Sequence, residues 1–211
     1  VVYLADCPVA SRMAEAVSPA ARVPVSTQTE LELGCFLRGE DIVWKTEEGE
    51  EVIATVHDIH IPGEHNRENV LAAIAAAKLL NVRTIPVQTA IQKFTGLPFR
   101  QQLVAQSRSG IKFWNDSYAT NPSATVAGLQ TFAEPLILIT GGKQKNLDYD
   151  GLGQAIAKHP SLKAVLTIGE TGPIIADAAA KHGFAKEKLF PVGDITSGFA
   201  KLGELVEAGD H

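Results

Sequence analysis

The run Trp114-Asn115-Asp116-Ser117-Tyr118-Ala119-Thr120-Asn121-Pro122 sets an acid, hydroxyls and an amide directly before a proline. That density of short polar side chains is what a protein uses to hold a small charged ligand. An acid at the carboxyl end of a strand accepts hydrogen bonds from a ribose or faces magnesium in α/β folds. Thr120 and Asn121 can donate to anionic groups, and Pro122 makes the residue before it extended. The same residues could also build an elaborate turn.

Two further stretches carry chemistry. In Leu138-Ile139-Thr140-Gly141-Gly142-Lys143-Gln144-Lys145, a buried strand ends in Gly-Gly, which brings backbone N–H groups to the carboxyl edge of a parallel sheet. Lys143 and Lys145 add positive charge suited to a carboxylate or phosphate. The spacing makes neither GxGxxG nor GxxxxGK[ST], and a tight turn with two solvated lysines explains it equally well. In Pro62-Gly63-Glu64-His65-Asn66-Arg67-Glu68-Asn69, two amides three positions apart share a face of a helix start. Asn66 fits an N-cap. Asn69 falls inside the helix, where Asn is a poor former, and faces outward to hydrogen-bond a base or ribose.

Other polar clusters carry less. His57 and His60 on a strand would point to opposite faces, so with His65 they predict no metal site. Glu47, Glu48, Glu50 and Glu51 around one Gly fit a solvated hairpin tip.

These residues need elements to hold them. "VVYLAD" predicts a buried strand and "VASRMAEAV" a helix. "KTEEGEEV" predicts a hairpin turn into the strand "VIATVHDIHIP", and an alanine-rich helix follows over about Asn66–Leu80. "FTGLPFRQQLV", residues 94–104, predicts a linker, because Thr-Gly-Leu-Pro suits neither a helix nor a central strand. Beyond it strands and helices alternate. "IKFWND", "PLILITGG", "KAVLTIGE" and "KLFPVGD" predict strands; "SATVAGLQTF", capped near Ser123, "DGLGQAIAKH", "GPIIADAAAKHG" and "SGFAKLGELVEAG" predict helices. That alternation implies a parallel, doubly wound sheet.

The 211 residues suffice for one large domain or two small ones, and 45% hydrophobic with 20% charged residues is ordinary globular composition. A net charge of −5 disfavours a general nucleic-acid or anionic-membrane binder. Cys7 and Cys35 form no CxxC and fit a reducing compartment. No run approaches a membrane span. An apolar strand at residue 1, with Met13 the only methionine, suggests an excerpt of a longer protein.

In this order, "GEHNRENVLAAIAAA", "FTGLPFR", "WNDSYATNPSAT" and "GGKQKNLDY" resemble the motifs of the Mur ligase family of peptidoglycan synthesis. The "ATNP" form points to the D-glutamate-adding branch. The resemblance implies an α/β chain in two parts. Residues 1–94 would be the back half of a central ATPase domain, a mixed sheet with helices. Residues 95–211 would be a truncated Rossmann-like amino-acid-binding domain with a mainly parallel sheet.

It also implies a cytoplasmic, monomeric ligase using ATP and Mg2+. Such a ligase phosphorylates UDP-N-acetylmuramoyl-L-alanine to an acyl phosphate, which the D-glutamate amine then attacks. By motif match Asn66 and Asn69 would face the nucleotide, Arg100 its phosphates and Asp116 its ribose. Thr120 and Lys145 would grip D-glutamate carboxylates.

Three departures stand out. Tyr118 stands where Lys is frequent, and Phe99 where His is frequent, with a stacking role on adenine. No GTxGKT loop occurs in the sequence, nor the glutamate and lysine that serve magnesium, nor the Ser-Pro-Ala segment. No catalytic or metal-ligating residue is therefore expected here, and the chain alone should not turn over ATP. Two alternatives remain: another Mur ligase or folylpolyglutamate-type synthase, or a non-catalytic nucleotide- or ligand-binding α/β module.

Overall fold

A computed structural model describes all 211 residues. It divides into two compact units, Val1–Gly96 and Leu97–His211, within the stretch expected as a linker.

The first unit is a mixed five-stranded sheet in the order β1-β2-β3-β4-β5. Its strands are β1 (Val2–Leu4), β2 (Val23–Ser26), β3 (Gly34–Arg38), β4 (Asp41–Thr46) and β5 (Gly49–Thr55). β1, β2 and β3 run parallel, whereas β3, β4 and β5 form an antiparallel meander. Helix α1 (Pro8–Ala14) links β1 to β2. Helix α2 (Glu64–Leu79) presses Leu71, Ile74 and Ala75 into a core with Val25, Cys35, Ile42 and Ile53. Its alanines favour helix, and it stops where Asn81 takes φ 58°. There Asn81 N–H donates to Lys78 O and Val82 N–H to Ala77 O, the paired bonds of a Schellman stop. Helix α3 (Thr84–Lys93) follows; Pro86 lies in its first turn, where a missing N–H costs nothing.

Two expectations are corrected here. The strand "VIATVHDIHIP" ends at Thr55, because Asp58 accepts from Thr55 N–H at 2.8 Å and from its hydroxyl at 3.0 Å, closing a 3-10 turn over Val56–Asp58. His57 therefore lies on a turn, bonded to Glu40 at 3.1 Å, and the opposite-face argument does not apply. No cluster of three or more His, Cys, Asp or Glu side chains suits a metal ion. The helix also starts at Glu64, with Gly63 (φ 98°) at its N-cap instead of Asn66.

In the second unit, β8 (Leu136–Gly141), β9 (Leu162–Ile168) and β10 (Leu189–Gly193) form a parallel sheet in the order β10-β9-β8. Side chains alternate along β9. Val165 joins Leu152, Ile156 and Ile175 of helices α5 (Asp150–Lys158) and α6 (Gly172–Lys181) in one core. Ala164 and Leu166 join Ile137 and Leu202 of helix α7 (Ile195–Leu205) in the other. Both faces are covered, which is why these strands are continuous apolar runs. The strand "IKFWND" differs from expectation. As β7 (Lys112–Asn115) it pairs antiparallel with β6 (Gln102–Gln106) in a separate ribbon, so part of the expected linker is strand. No helix is long and apolar enough to cross a membrane.

Candidate functional site

Asp116 leaves the end of β7 and is held from several directions. One carboxylate oxygen accepts from Gln101 N–H at 3.1 Å, and its backbone carbonyl accepts from Ala119 N–H at 2.8 Å. Gln101 is buried at φ 42°, and its side-chain amide donates to the Thr131 hydroxyl at 3.1 Å. Helix α4 (Pro122–Leu129) passes close by at Gly128. A Cβ there would lie 3.0 Å from the other Asp116 oxygen, so the missing side chain makes room for the acid. Gln101 and Thr131 carry no signal in the sequence; Gly128, a glycine inside a helical pattern, is the residue whose type could have pointed here.

Phe99 and Gln101 both adopt positive φ, 63° and 42°, with Arg100 between them. Such conformations cost about 1–3 kcal/mol each in bulky residues and persist only where surroundings impose them. Here the surroundings are visible. Phe99 N–H donates to the Gln102 side chain at 3.0 Å, and Phe99 O accepts from Tyr118 N–H at 3.1 Å. The Phe99 and Tyr118 rings meet edge to face at 5.7 Å, both largely exposed, beside the exposed Arg100.

Thr120 is exposed, its N–H donating to Tyr118 O at 2.8 Å. The next residue corrects the expected cap at Ser123. Asn121 caps α4, its side-chain oxygen accepting from Ala124 N–H at 2.9 Å, and Pro122 takes the first helical position.

The Gly-Gly edge also differs from expectation. Gly142 N–H donates to Ile168 O at 3.2 Å, and Gly142 O accepts from Thr171 N–H at 3.0 Å. At Gly141 (φ 132°) a Cβ would fall 1.9 Å from Ile168 O. These glycines lock β8 to β9, and the Gly142 N–H is already committed to that contact. Lys143 and Lys145 are exposed; Lys145 N–H donates to the Gln144 side chain at 2.9 Å.

In the first unit, the Asn66 amide donates to Pro62 O at 2.6 Å, and Asn69 donates to the Asn66 side-chain oxygen at 3.3 Å. The pair is linked, with Asn69 the exposed member. Inside the second unit, Asp116, Ser117 and Ala119 share a cleft of about 610 Å3 with Thr140 and Gly141. Arg100, Thr120 and Lys145 do not line it.

Residues 99–211 match the profile of the Mur ligase, glutamate ligase domain. The chain belongs to the Mur ligase family. It is 33% identical over 187 residues to the UDP-N-acetylmuramoylalanine--D-glutamate ligase of Caldanaerobacter subterraneus subsp. tengcongensis, covering 89% of this chain and 40% of that protein. It is 37% identical over 194 residues to the ligase of the same name from Acetivibrio thermocellus, covering 86% of this chain and 40% of that protein. The chain thus spans about two fifths of the length of these relatives.

Among solved structures, MurF from Acinetobacter baumannii shares the fold at a TM-score of 0.69 and 18% identity, over 97% of this chain and 44% of that one. E. coli FolC in complex with ADP does so at 0.62 and 15%, over 95% of this chain and 46% of that one. The two-part Mur ligase α/β architecture, a mixed five-stranded sheet and then a parallel three-stranded one, is what the sequence led one to expect.

Proposed function

We propose that this Mur ligase chain is part of an ATP-dependent ligase that adds D-glutamate to UDP-N-acetylmuramoyl-L-alanine through an acyl phosphate. The observation that carries the reading is the Ala119-Thr120-Asn121-Pro122 turn before α4, together with relatives bearing that ligase's name at 33–37% identity. Residues up to about Phe94 are read as the back half of the central domain, and those from about Thr95 as the amino-acid-binding domain.

Within the first unit, Asn66 and Asn69 fit a nucleobase edge. Asn69 is exposed, and an amide offers both a donor and an acceptor. In the second unit, Asp116 is fixed by Gln101 and faces a cleft, which suits a ribose hydroxyl. Arg100 is held outward between two constrained residues, which suits phosphate. Thr120 and Lys145 supply a hydroxyl and an ammonium for the D-glutamate carboxylates. ATP, when bound, supplies the phosphoryl group that activates the acceptor carboxylate. The residues present do not assemble a Mg2+ site, so no step through the metal is derived. Tyr118 in place of a cation leaves charge at this edge to Arg100, Lys143 and Lys145.

The test is an NMR titration of the chain with D-glutamate, with L-glutamate as control. Shifts at Thr120 and Lys145 for the D form alone are expected. Equal shifts for both forms, or none for either, would overturn the assignment of these residues as a stereoselective half-site.

A further inference from the structure

After Gly142 the chain stays exposed from Lys143 to Asp148 and is buried again at Tyr149. This stretch carries Lys143 and Lys145 past the carboxyl end of β8, the edge where ligands bind in open parallel sheets. Neither ammonium has a partner in the protein.

Within residues 143–147, every hydrogen bond is made by Gln144 or to it. Its side-chain oxygen accepts from Lys145 N–H at 2.9 Å and from Asn146 N–H at 3.1 Å. Its own N–H donates to a Glu170 carboxylate oxygen at 3.0 Å. Two consecutive N–H groups can meet one oxygen only in a tight turn. Asn146 closes that turn at φ 53°, a conformation asparagine tolerates.

Glu170 stands on a fixed base. Thr171 is buried and donates its N–H to Gly142 O at 3.0 Å, while a Cβ on Gly169 would fall 2.9 Å from the same oxygen. The connection from β9 to α6 is thus pressed against the end of β8 on both sides of Glu170. An acid placed there could pair with a lysine, yet Glu170 bonds the backbone between the two and leaves both cations to a ligand.

These bonds pack no core. Gln144, Lys145, Asn146 and Glu170 are all exposed, so the bonds hold a local shape. A lysine on an ordered turn loses less freedom when it binds a ligand, and preorganisation of this kind appears as affinity. Lys143 lies outside the turn's bonds and has no such restraint.

We propose that Gln144, anchored by Glu170, is the positioning residue of Lys145. It orders the turn that presents the ammonium and so sets the affinity for a substrate carboxylate without touching the substrate. The inference rests on the reading of Lys145 as a carboxylate ligand.

The chain and its variants are compared by NMR relaxation, by titration with D-glutamate and by urea unfolding. The Lys145 and Asn146 amides should be rigid in the native chain, with order parameters near about 0.85, and fall below about 0.6 in Gln144→Ala. D-glutamate affinity should fall about three- to ten-fold, with the Trp114 urea transition unmoved. Gln144→Asn, whose oxygen still reaches the N–H two residues on, should recover part of both. Glu170→Ala and Glu170→Gln remove the same charge, but only alanine removes the acceptor, so alanine should bind D-glutamate more weakly.

Equal affinity in the two Glu170 variants would overturn the anchor. A Gln144→Ala protein that binds like the native chain, or that loses affinity only as its urea midpoint drops, would overturn the positioning role. A native chain silent to D-glutamate would sink the ligase half-site; the order parameters then decide the turn alone, and Lys145 and Asn146 equally mobile with and without the Gln144 side chain would overturn it.

Discussion

Gly153→Ala tests the packing that carries the second unit, because helix propensity and geometry predict opposite signs. Gly153 lies inside α5, where alanine is favoured over glycine by about 1 kcal/mol. Its Cβ, however, would meet α6 at 2.5 Å from the Ala178 carbonyl carbon, 2.6 Å from its oxygen and 2.7 Å from its Cβ. Favourable carbon contacts lie near 3.5–4.0 Å, so the helices must separate by about 1 Å. The neighbour is backbone and cannot swing aside, and overpacking of this kind costs about 1–3 kcal/mol.

A net loss of about 1–2 kcal/mol is expected, which lowers the urea midpoint by about 0.5–1 M. Gly151, on the same helix with nothing within 4 Å of its Cβ, is the control. Gly151→Ala should be neutral or gain up to about 1 kcal/mol. Each unit holds one tryptophan, Trp44 in the first and Trp114 in the second, so their indole NMR signals during urea unfolding report the units separately. Only the Trp114 transition should move. A Gly153→Ala protein as stable as Gly151→Ala would refute the close α5–α6 approach.

Four other outcomes follow from the same structure. Burial pushes the Cys35 thiol up to about 12, so one thiol, that of Cys7, should react with a disulfide reagent in native buffer, and two after denaturation. Asn121→Ala removes the α4 cap and should cost about 1 kcal/mol, read in the Trp114 transition, while Asn121→Asp should restore it. The Asp58 carboxyl is held below its ordinary 3.8 by the Thr55 N–H, then by Gln92 and the Thr55 hydroxyl. Its contribution is therefore present above that value and is lost as pH falls through the lower folded one; the stability gap between the native protein and Asp58→Asn should narrow as pH drops below 3.8, and a constant gap would refute it. The chain with ATP, Mg2+, D-glutamate and UDP-N-acetylmuramoyl-L-alanine should release no ADP in a coupled assay.

What the sequence could reveal was whatever is encoded locally. β8 and β9 are legible because a strand covered on both faces is a continuous apolar run, and α2 because eight of its residues from Val70 to Ala77 are apolar. β2 and β3 went unpredicted: "VPVS" holds a proline, and "GCFLR" is short and begins at a glycine. That glycine has a non-local reason, since a Cβ on Gly34 would fall 2.2 Å from Pro24 O on the neighbouring strand. α3 was hidden by Pro86, harmless only because the helix begins two residues earlier.

The candidate site follows the same division. Asp116 and the Gly-Gly turn stand out by residue type, yet the partner that orients Asp116 is Gln101, fifteen positions away in a stretch that looked like linker. Of the turn's two glycines, Gly141 is explained by Ile168 on another strand, whose carbonyl oxygen a Cβ would meet at 1.9 Å. Side-chain chemistry is thus written in the motif, while the commitments of the backbone are set by pairing across the fold.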